Sequence, residues 1–341
     1  MATIDTAATA SSTPDVQAGR PATEVSLTRV GVSGVEKVIH VAAAPGSDGT
    51  TGNLYFAELE CLVDLNPQQA GVHMSRFEEI VNEAIDGVVL AETLRAEELA
   101  AHIAEQVRER QNGLRAEVAI TARYPERVSA PASGIQSQEI YTLFGTAVAS
   151  ERGTRTLVGV EAQGMTACPC AQGLLAGRSR ERLLADGFSG DEIERIFAAV
   201  PVATHNQRGI GSLHVGRPEG VADPIDARDL LHIVQSSMSS EIYELTKRSD
   251  EADVVEKAHR NPRFVEDVVR EMVRRVAEAY PQLADGGFIL ARQENLETIH
   301  RHTVLAERSG ALSEVLNELA SGEHSRRHLT KREWLEAPCA D

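Results

Sequence analysis

One order of sequence patterns runs through this chain twice, and few architectures accommodate it. Two strand-like stretches come first, Ser26–Val41 and Leu54–Leu65. In the second of them Tyr55, Ala57, Leu59 and Cys61 fall on one face and Phe56, Glu58, Glu60 and Leu62 on the other, the period of a half-buried strand. Ser75 followed by Glu78 reads as a capping box that opens a helix. Phe77, Ile80, Val81, Ala84 and Ile85 make its apolar stripe. A second helix runs from about Leu94 to Gln111 and stops before Asn112-Gly113. Strands near Leu114–Tyr124 and Glu139–Ser150 close this half.

The second half repeats the order. Strands lie near Thr154–Met165 and Gly209–Val215, and a helix runs from after Asp226 to about Thr246. Another helix starts at Asn261-Pro262, with Asn as cap and Pro in the first turn. Its stripe is Val265, Val268, Val269, Met272, Val273 and Val276. Strands follow near Phe288–Glu297 and His302–Glu307. Each half thus reads strand-strand-helix-helix-strand-strand, which implies antiparallel hairpins with helices packed on one face, an α+β arrangement. The expected divisions are a disordered tail at 1–24, a first unit at 25–151, a second unit at 152–309 and a final helix with a polar tail at 310–341. A helical insertion at 172–203 interrupts the second unit.

Composition narrows the function. Apolar residues make up 42% of the 341, enough for a real core. The net charge of −17 repels a nucleic-acid backbone, and no basic stripe compensates, so a nucleic-acid partner is not expected. No apolar run approaches the ~18–20 residues of a membrane span. The opening residues lack the early charge and apolar stretch of a secretory signal, so a cytoplasmic protein is expected. Of the four cysteines, Cys61 belongs to an apolar run, Cys339 has no evident role, and only Cys168 and Cys170 form a pair. So few cysteines argue against a disulfide framework and for metal or catalytic use.

Several short segments could carry chemistry. In Cys168-Pro169-Cys170 a thiolate can ligate a metal or act as a nucleophile. Proline fixes the backbone between the sulfurs and makes joint chelation awkward, which favours one ligand and one supporting or catalytic thiol. The competing reading is two small buried residues in a turn. His205-Asn206-Gln207-Arg208 sets four polar side chains before an alternating strand, a rigid support for a site or simply a solvated turn. His300 and His302 share a face if the backbone is extended there. Spacing alone does not distinguish Glu251 and Glu266 from the other acids.

Taken jointly and in order, six segments resemble one family. They are Gly71-Val72-His73-Met74-Ser75-Arg76-Phe77, Cys168-Pro169-Cys170, His205-Asn206-Gln207-Arg208, Leu245-Thr246-Lys247-Arg248-Ser249-Asp250-Glu251, Asn261-Pro262-Arg263-Phe264-Val265-Glu266-Asp267 and Glu297-Thr298-Ile299-His300-Arg301-His302. They look like the type IB GTP cyclohydrolases. The long stretch between Cys170 and His205, and Gly164-Met165-Thr166-Ala167 before the first cysteine, resemble the archaeal branch. Serine stands at position 249 where bacterial members commonly have proline.

The resemblance implies a tunnelling fold built from tandem strand-strand-helix-helix-strand-strand units, assembled as a homo-oligomer (dimer or tetramer) with active sites at subunit interfaces. By motif, it implies Cys168, His205, Glu251 and His300 as metal ligands and Glu266 as the guanine anchor. The archaeal branch implies one Fe(II) per subunit, with Zn(II) or Mn(II) as alternatives. Arg76, Lys247 and Arg248 are candidates for the triphosphate of the substrate GTP, because guanidinium and ammonium groups suit phosphate oxygens. Cys170 and His302 are candidates for moving protons. The implied reaction opens guanine at C8, releases formate and diphosphate, and yields 7,8-dihydroneopterin 2′,3′-cyclic phosphate for folate or methanopterin. The bacterial product, the triphosphate, is the alternative. Two other readings are a tunnelling-fold enzyme with a nucleophilic cysteine and a non-catalytic oligomer with a structural metal.

Overall fold

The computed structural model describes residues 16–41, 53–88, 95–218, 221, 225–323 and 328–337. Strands β1 (Leu27–Val41) and β2 (Asn53–Leu65) come first, then helices α1 (Met74–Val88) and α2 (Ala96–Arg110), then strands β3 (Arg115–Ser129) and β4 (Gln136–Ser150). The second unit runs β5 (Gly153–Ala167), α3 (Pro169–Ala185), α4 (Gly190–Ala199), β6 (Asn206–Arg217), α5 (Ala227–Ser237) and β7 (Ser240–Glu241). It continues with α6 (Arg248–Arg260), α7 (Val265–Ala279), β8 (Phe288–Leu296) and β9 (Val304–Ala311), and α8 (Leu312–Ser321) and α9 (Lys331–Glu336) end the described chain.

The strands form one antiparallel sheet in the order β1-β2-β3-β4-β5-β6-β8-β9, with β7 beside β5. The two repeats are therefore fused, because β4 pairs with β5 from Thr142↔Glu161 to Ser150↔Gly153. Alternation along β2 does what its pattern implies: Tyr55, Ala57, Leu59, Cys61, Val63 and Leu65 are all buried beneath the helices. The stripes of α1 and α7 join the same core. Helix α2 rests directly on β4: a Cβ at Gly145 would stand 2.2 Å from the carbonyl carbon of Ala96, so only glycine admits this approach. Asn112 ends α2 with φ at 56°, the left-handed turn that asparagine tolerates.

Several sequence expectations are corrected. Ser75 lies inside α1 rather than capping it. Gln111 takes over at that point, donating to the His73 carbonyl at 2.8 Å and accepting from the His73 amide at 3.2 Å. Glu78 instead pairs with Lys37 at 2.8 Å. The helix after Asp226 stops at Ser237, not near Thr246, and the chain crosses back to pair Ser240 with Met165. Serines that bond their own backbone, as Ser237 does to the Ile233 carbonyl at 2.7 Å, compete with continuing a helix. Asn261 closes α6 and does not open the next helix. Its side-chain amide is spent on the carbonyls of Met238 and Ser239, at 3.3 Å each.

Residues 1–15 and Cys339 fall outside the described residues. The rest of the expected tail lies along the loop before α1, where the carbonyls of Gln17 and Gly19 accept from Gly71 and Ala70 at 3.2 and 2.8 Å. Among the described residues, no helix is long and apolar enough to cross a membrane.

The sheet face away from the helices is covered at one end by the C-terminal segment. Trp334 and Leu335 pack there on Val148, Leu157 and Phe288, and the Trp334 indole donates to the Gly286 carbonyl at 2.9 Å. His214 shares that face, its ring 5.1 Å from Phe144 and its Nδ1 buried without a hydrogen-bond partner among the described residues. Burial, with a smaller push from the Lys331 charge, lowers its pKa from 6.5 to about 3. The native state thus keeps the ring neutral while the unfolded chain binds a proton below its ordinary value. That stability is fully present above pH 6.5 and is lost as the pH falls toward 3. A His214→Phe variant should therefore lose up to about 2 kcal/mol less than the parent between pH 7 and pH 5, measured by urea unfolding.

Candidate functional site

Cys168 and His205 meet because β5 ends where β6 begins. The ladder runs to Ala167↔Asn206, and one step beyond it the Cys168 amide donates to the His205 carbonyl at 3.1 Å. The Thr204 hydroxyl donates to the Cys168 carbonyl at 2.8 Å, closing the same corner. The insertion, α3 and α4, leaves and returns through this gap. Gln172 ties it down by donating to the carbonyls of Val202 at 2.8 Å and His259 at 2.6 Å.

Cys168 is the N-cap of α3, and its Sγ accepts from the Ala171 amide at 3.5 Å. Pro169 fills the first helical position, where its missing N–H costs nothing. The turn gives the two cysteines different surroundings: Cys168 is half-buried, whereas Cys170 is exposed.

The His205 ring is oriented through Nδ1. That atom lies 3.0 Å from Gln207 Oε1, and Gln207 Nε2 donates to Thr166 Oγ1 at 3.0 Å. Gln207 and Thr166 are buried. An amide oxygen only accepts, so this contact fits the tautomer with the proton on Nδ1, the one in which Nε2 keeps its lone pair for a ligand. Glu297 Oε2 stands 3.8 Å from the same Nδ1, on a side chain 8% exposed, and this oxygen has no hydrogen-bond partner among the described residues. The Thr298 hydroxyl donates to the Asn206 carbonyl at 3.1 Å, fastening the end of β8 over the start of β6. A thiol and an imidazole on neighbouring residues of one corner are a donor pair of the type that suits Fe(II) or Zn(II).

The other expected site residues sit on separate elements. His300 and His302 are exposed on the 297–303 loop, in bends rather than a strand. Their rings nevertheless project together, stacked at 5.1 Å and 11°. Glu251 is exposed in the first turn of α6, and Glu266 is exposed in the first turn of α7. Glu266 lines a largely apolar cavity of about 480 Å³ between α7, β9 and α8. Lys247 and Arg248 are exposed at the start of α6. Arg76 is far from them along the sheet, in α1, and donates to the Arg110 carbonyl at 2.9 Å at the end of α2. Among the described residues no three His, Cys, Asp or Glu side chains converge closely enough to hold a metal. One chain thus preforms the Cys168–His205 corner and leaves Glu251 and His300 outside it.

Sequence reasoning missed the supporting residues. Thr166, Gln207 and Glu297 lay within or beside the motifs, but nothing in their spacing marked a shared proton. Asp250 was also missed. Its carboxylate accepts from the amides of Ala132 and Ser133 at 2.8 Å, the Ser133 hydroxyl at 2.7 Å and the Lys247 amide at 2.7 Å. Burial works to raise its pKa, but these four hydrogen bonds prevail and hold the carboxyl well below the usual range. Through Asp250 the turn between β3 and β4 steadies the helix that carries Glu251.

Residues 13–306 match the model of a family described as type I GTP cyclohydrolase folE2. The GTP cyclohydrolase MptA of Methanococcus aeolicus is 40% identical over 311 residues, covering 89% of this chain and 99% of that protein. Its counterpart in Methanocaldococcus jannaschii is 38% identical, covering 91% of this chain and 98% of that one. That of Haloferax volcanii is also 38% identical, covering 90% and 98%. Among solved structures, uricase from Arthrobacter globiformis superposes with a TM-score of 0.50 at 12% identity, over 84% of this chain and 95% of that one. At that identity the likeness concerns the fold alone, which is the tunnelling fold.

Replacing Asp250 by Ala should free the β3–β4 turn from α6. The expected outcome is faster amide hydrogen exchange at Ala132 and Ser133 with protection in the β5–β6 ladder unchanged. Unaltered exchange at those two amides would contradict the anchoring role.

Proposed function

The chain belongs to the type I GTP cyclohydrolase family, and from that premise we propose that the Cys168–His205 corner is the fixed half of a metal centre at which guanine is opened. GTP cyclohydrolase activity in pterin biosynthesis follows from the family. The observation that supports this placement is the His205 ring, held through Nδ1 by Gln207 on a residue whose backbone carbonyl accepts from the Cys168 amide.

Cys168, His205, Glu251 and His300 are the ligands in this reading, and Fe(II) is the metal, with Zn(II) or Mn(II) as alternatives. When bound, a divalent metal supplies Lewis acidity and brings the pKa of a water toward neutrality, which hydrolysis at C8 requires. The protein's own groups do the rest. The Glu266 carboxylate accepts from N1–H and the 2-amino group of guanine, a donor pair adenine lacks, and so rejects adenine by leaving polar groups unpaired. Lys247 and Arg248, with Arg76, meet the phosphates. Cys170 and His302, both exposed, are the groups free to move a proton during ring opening.

Assembly belongs to the same proposal. Among the described residues strands β1 and β9 end the main strand order of the sheet, and a homo-oligomer that pairs such edges removes a hazard that exposed strands carry. Sites between subunits also account for Arg76 lying so far from Lys247 and Arg248 within one chain. The proposed product is 7,8-dihydroneopterin 2′,3′-cyclic phosphate with formate and diphosphate, made in the cytoplasm. The resemblance to the archaeal branch and the MptA relatives support it.

Incubating anaerobically iron-loaded protein with GTP and analysing the products by mass spectrometry tests this. We expect formate and the cyclic phosphate. The triphosphate would overturn only the product assignment, whereas activity surviving complete chelation would favour a nucleophilic cysteine. His205→Ala and His300→Ala should each lose metal and at least about 100-fold in turnover while staying folded. Full metal and turnover in either variant would refute that ligand assignment.

A further inference from the structure

We propose that Glu297 is a positioning residue for this centre: its buried carboxylate shares the Nδ1 proton of His205 with Gln207 and so aims Nε2 at the metal. The inference rests on His205 being a ligand, as proposed above. Three observations carry it. Glu297 Oε2 is buried and has no hydrogen-bond partner among the described residues, a costly state for an acceptor that carries charge. His205 Nδ1 stands 3.8 Å from it, across an ion-pair contact. Gln207 Oε1, which can only accept, faces that nitrogen at 3.0 Å, so the contact fits the tautomer with the proton on Nδ1.

The two acceptors differ in what they contribute. Gln207 is fixed by Thr166 and sets the plane of the ring. Glu297 adds negative charge. When Nε2 donates its lone pair to a cation, the imidazole becomes a stronger donor at Nδ1, and a carboxylate rewards this more than an amide does. The reach is fixed from the neighbouring residue, since Thr298 holds the Asn206 carbonyl at 3.1 Å. Glu297 also opens the loop that bears His300, so one short segment supports one expected ligand and supplies another.

The test uses metal-stripped full-length protein carrying Glu297→Gln, Glu297→Asp or His205→Ala. Zn(II) affinity is measured against a chromophoric chelator, and coordination is read from the visible absorption of the Co(II) form. Glu297→Gln should weaken Zn(II) about 10–100-fold, leave the Co(II) band pattern unchanged and leave thermal unfolding of the metal-free protein unchanged. Glu297→Asp, which keeps the charge, should recover part of the loss. Zn(II) affinity within about twofold of the parent in Glu297→Gln would overturn the inference. An altered Co(II) pattern would also overturn it, by making Glu297 a direct ligand. His205→Ala separates the two claims. If that variant keeps its metal, the ligand reading itself fails. If it loses metal while Glu297→Gln binds normally, only the positioning role fails.

Discussion

The antiparallel ladder between β5 and β6 is the constraint on which the rest of this structure depends. It runs unbroken from Thr156↔Arg217 to Ala167↔Asn206. Because side chains alternate along each strand, its register decides which residues face the helices and which face the open side of the sheet. Gln207 and Thr166 fall opposite each other on the buried side, and their hydrogen bond follows. A slip of one residue would turn Gln207 outward and leave His205 unsupported. The same ladder buries Leu213 and Val215 in the main core and sets His214 against Phe144 on the other face.

The two repeats contribute unequally around that ladder. The first packs α1 and α2 densely on its strands, with Gly145 allowing the closest approach. The second is interrupted twice, by the α3–α4 insertion and by the return of β7 to β5. Both interruptions are tied with side-chain amides: Gln172 on Val202 and His259, and Asn261 on Met238 and Ser239. The first unit reaches into the second through Asp250, whose carboxylate collects the β3–β4 turn. Irregular segments that carry site residues are thus held by polar side chains, where the regular parts are held by apolar burial.

Much of this was legible in the sequence for a simple reason. Periodicity reports burial, so the stripe of α7 and the alternation of β2 fixed the helix and strand types and the faces they bury. Asn112-Gly113 marked a helix end because few residues accept a left-handed backbone. Helix starts were less legible. Ser75 and Asn261 are good caps by type, but Gln111 supplies the contact at the first and the side chain of Asn261 is drawn to carbonyls 22 and 23 positions earlier. Side-chain capping is a local signal, and a tertiary partner can outbid it.

For the site, the motifs located Cys168, His205, Glu251, Glu266 and His300 by resemblance, and by themselves did not say how any of them is held. The sequence alone determined the tandem strand-strand-helix-helix-strand-strand order, the apolar faces and the polar segments that interrupt them, since each is a matter of residue type at short spacing. Only the tertiary structure decided that Cys168 and His205 share a corner, that Gln207 and Glu297 flank one ring nitrogen, and that Asp250 binds the first repeat to the second. Those arrangements depend on strand register and on chain segments far apart in sequence, and a hydrogen bond between such segments leaves no period to be read.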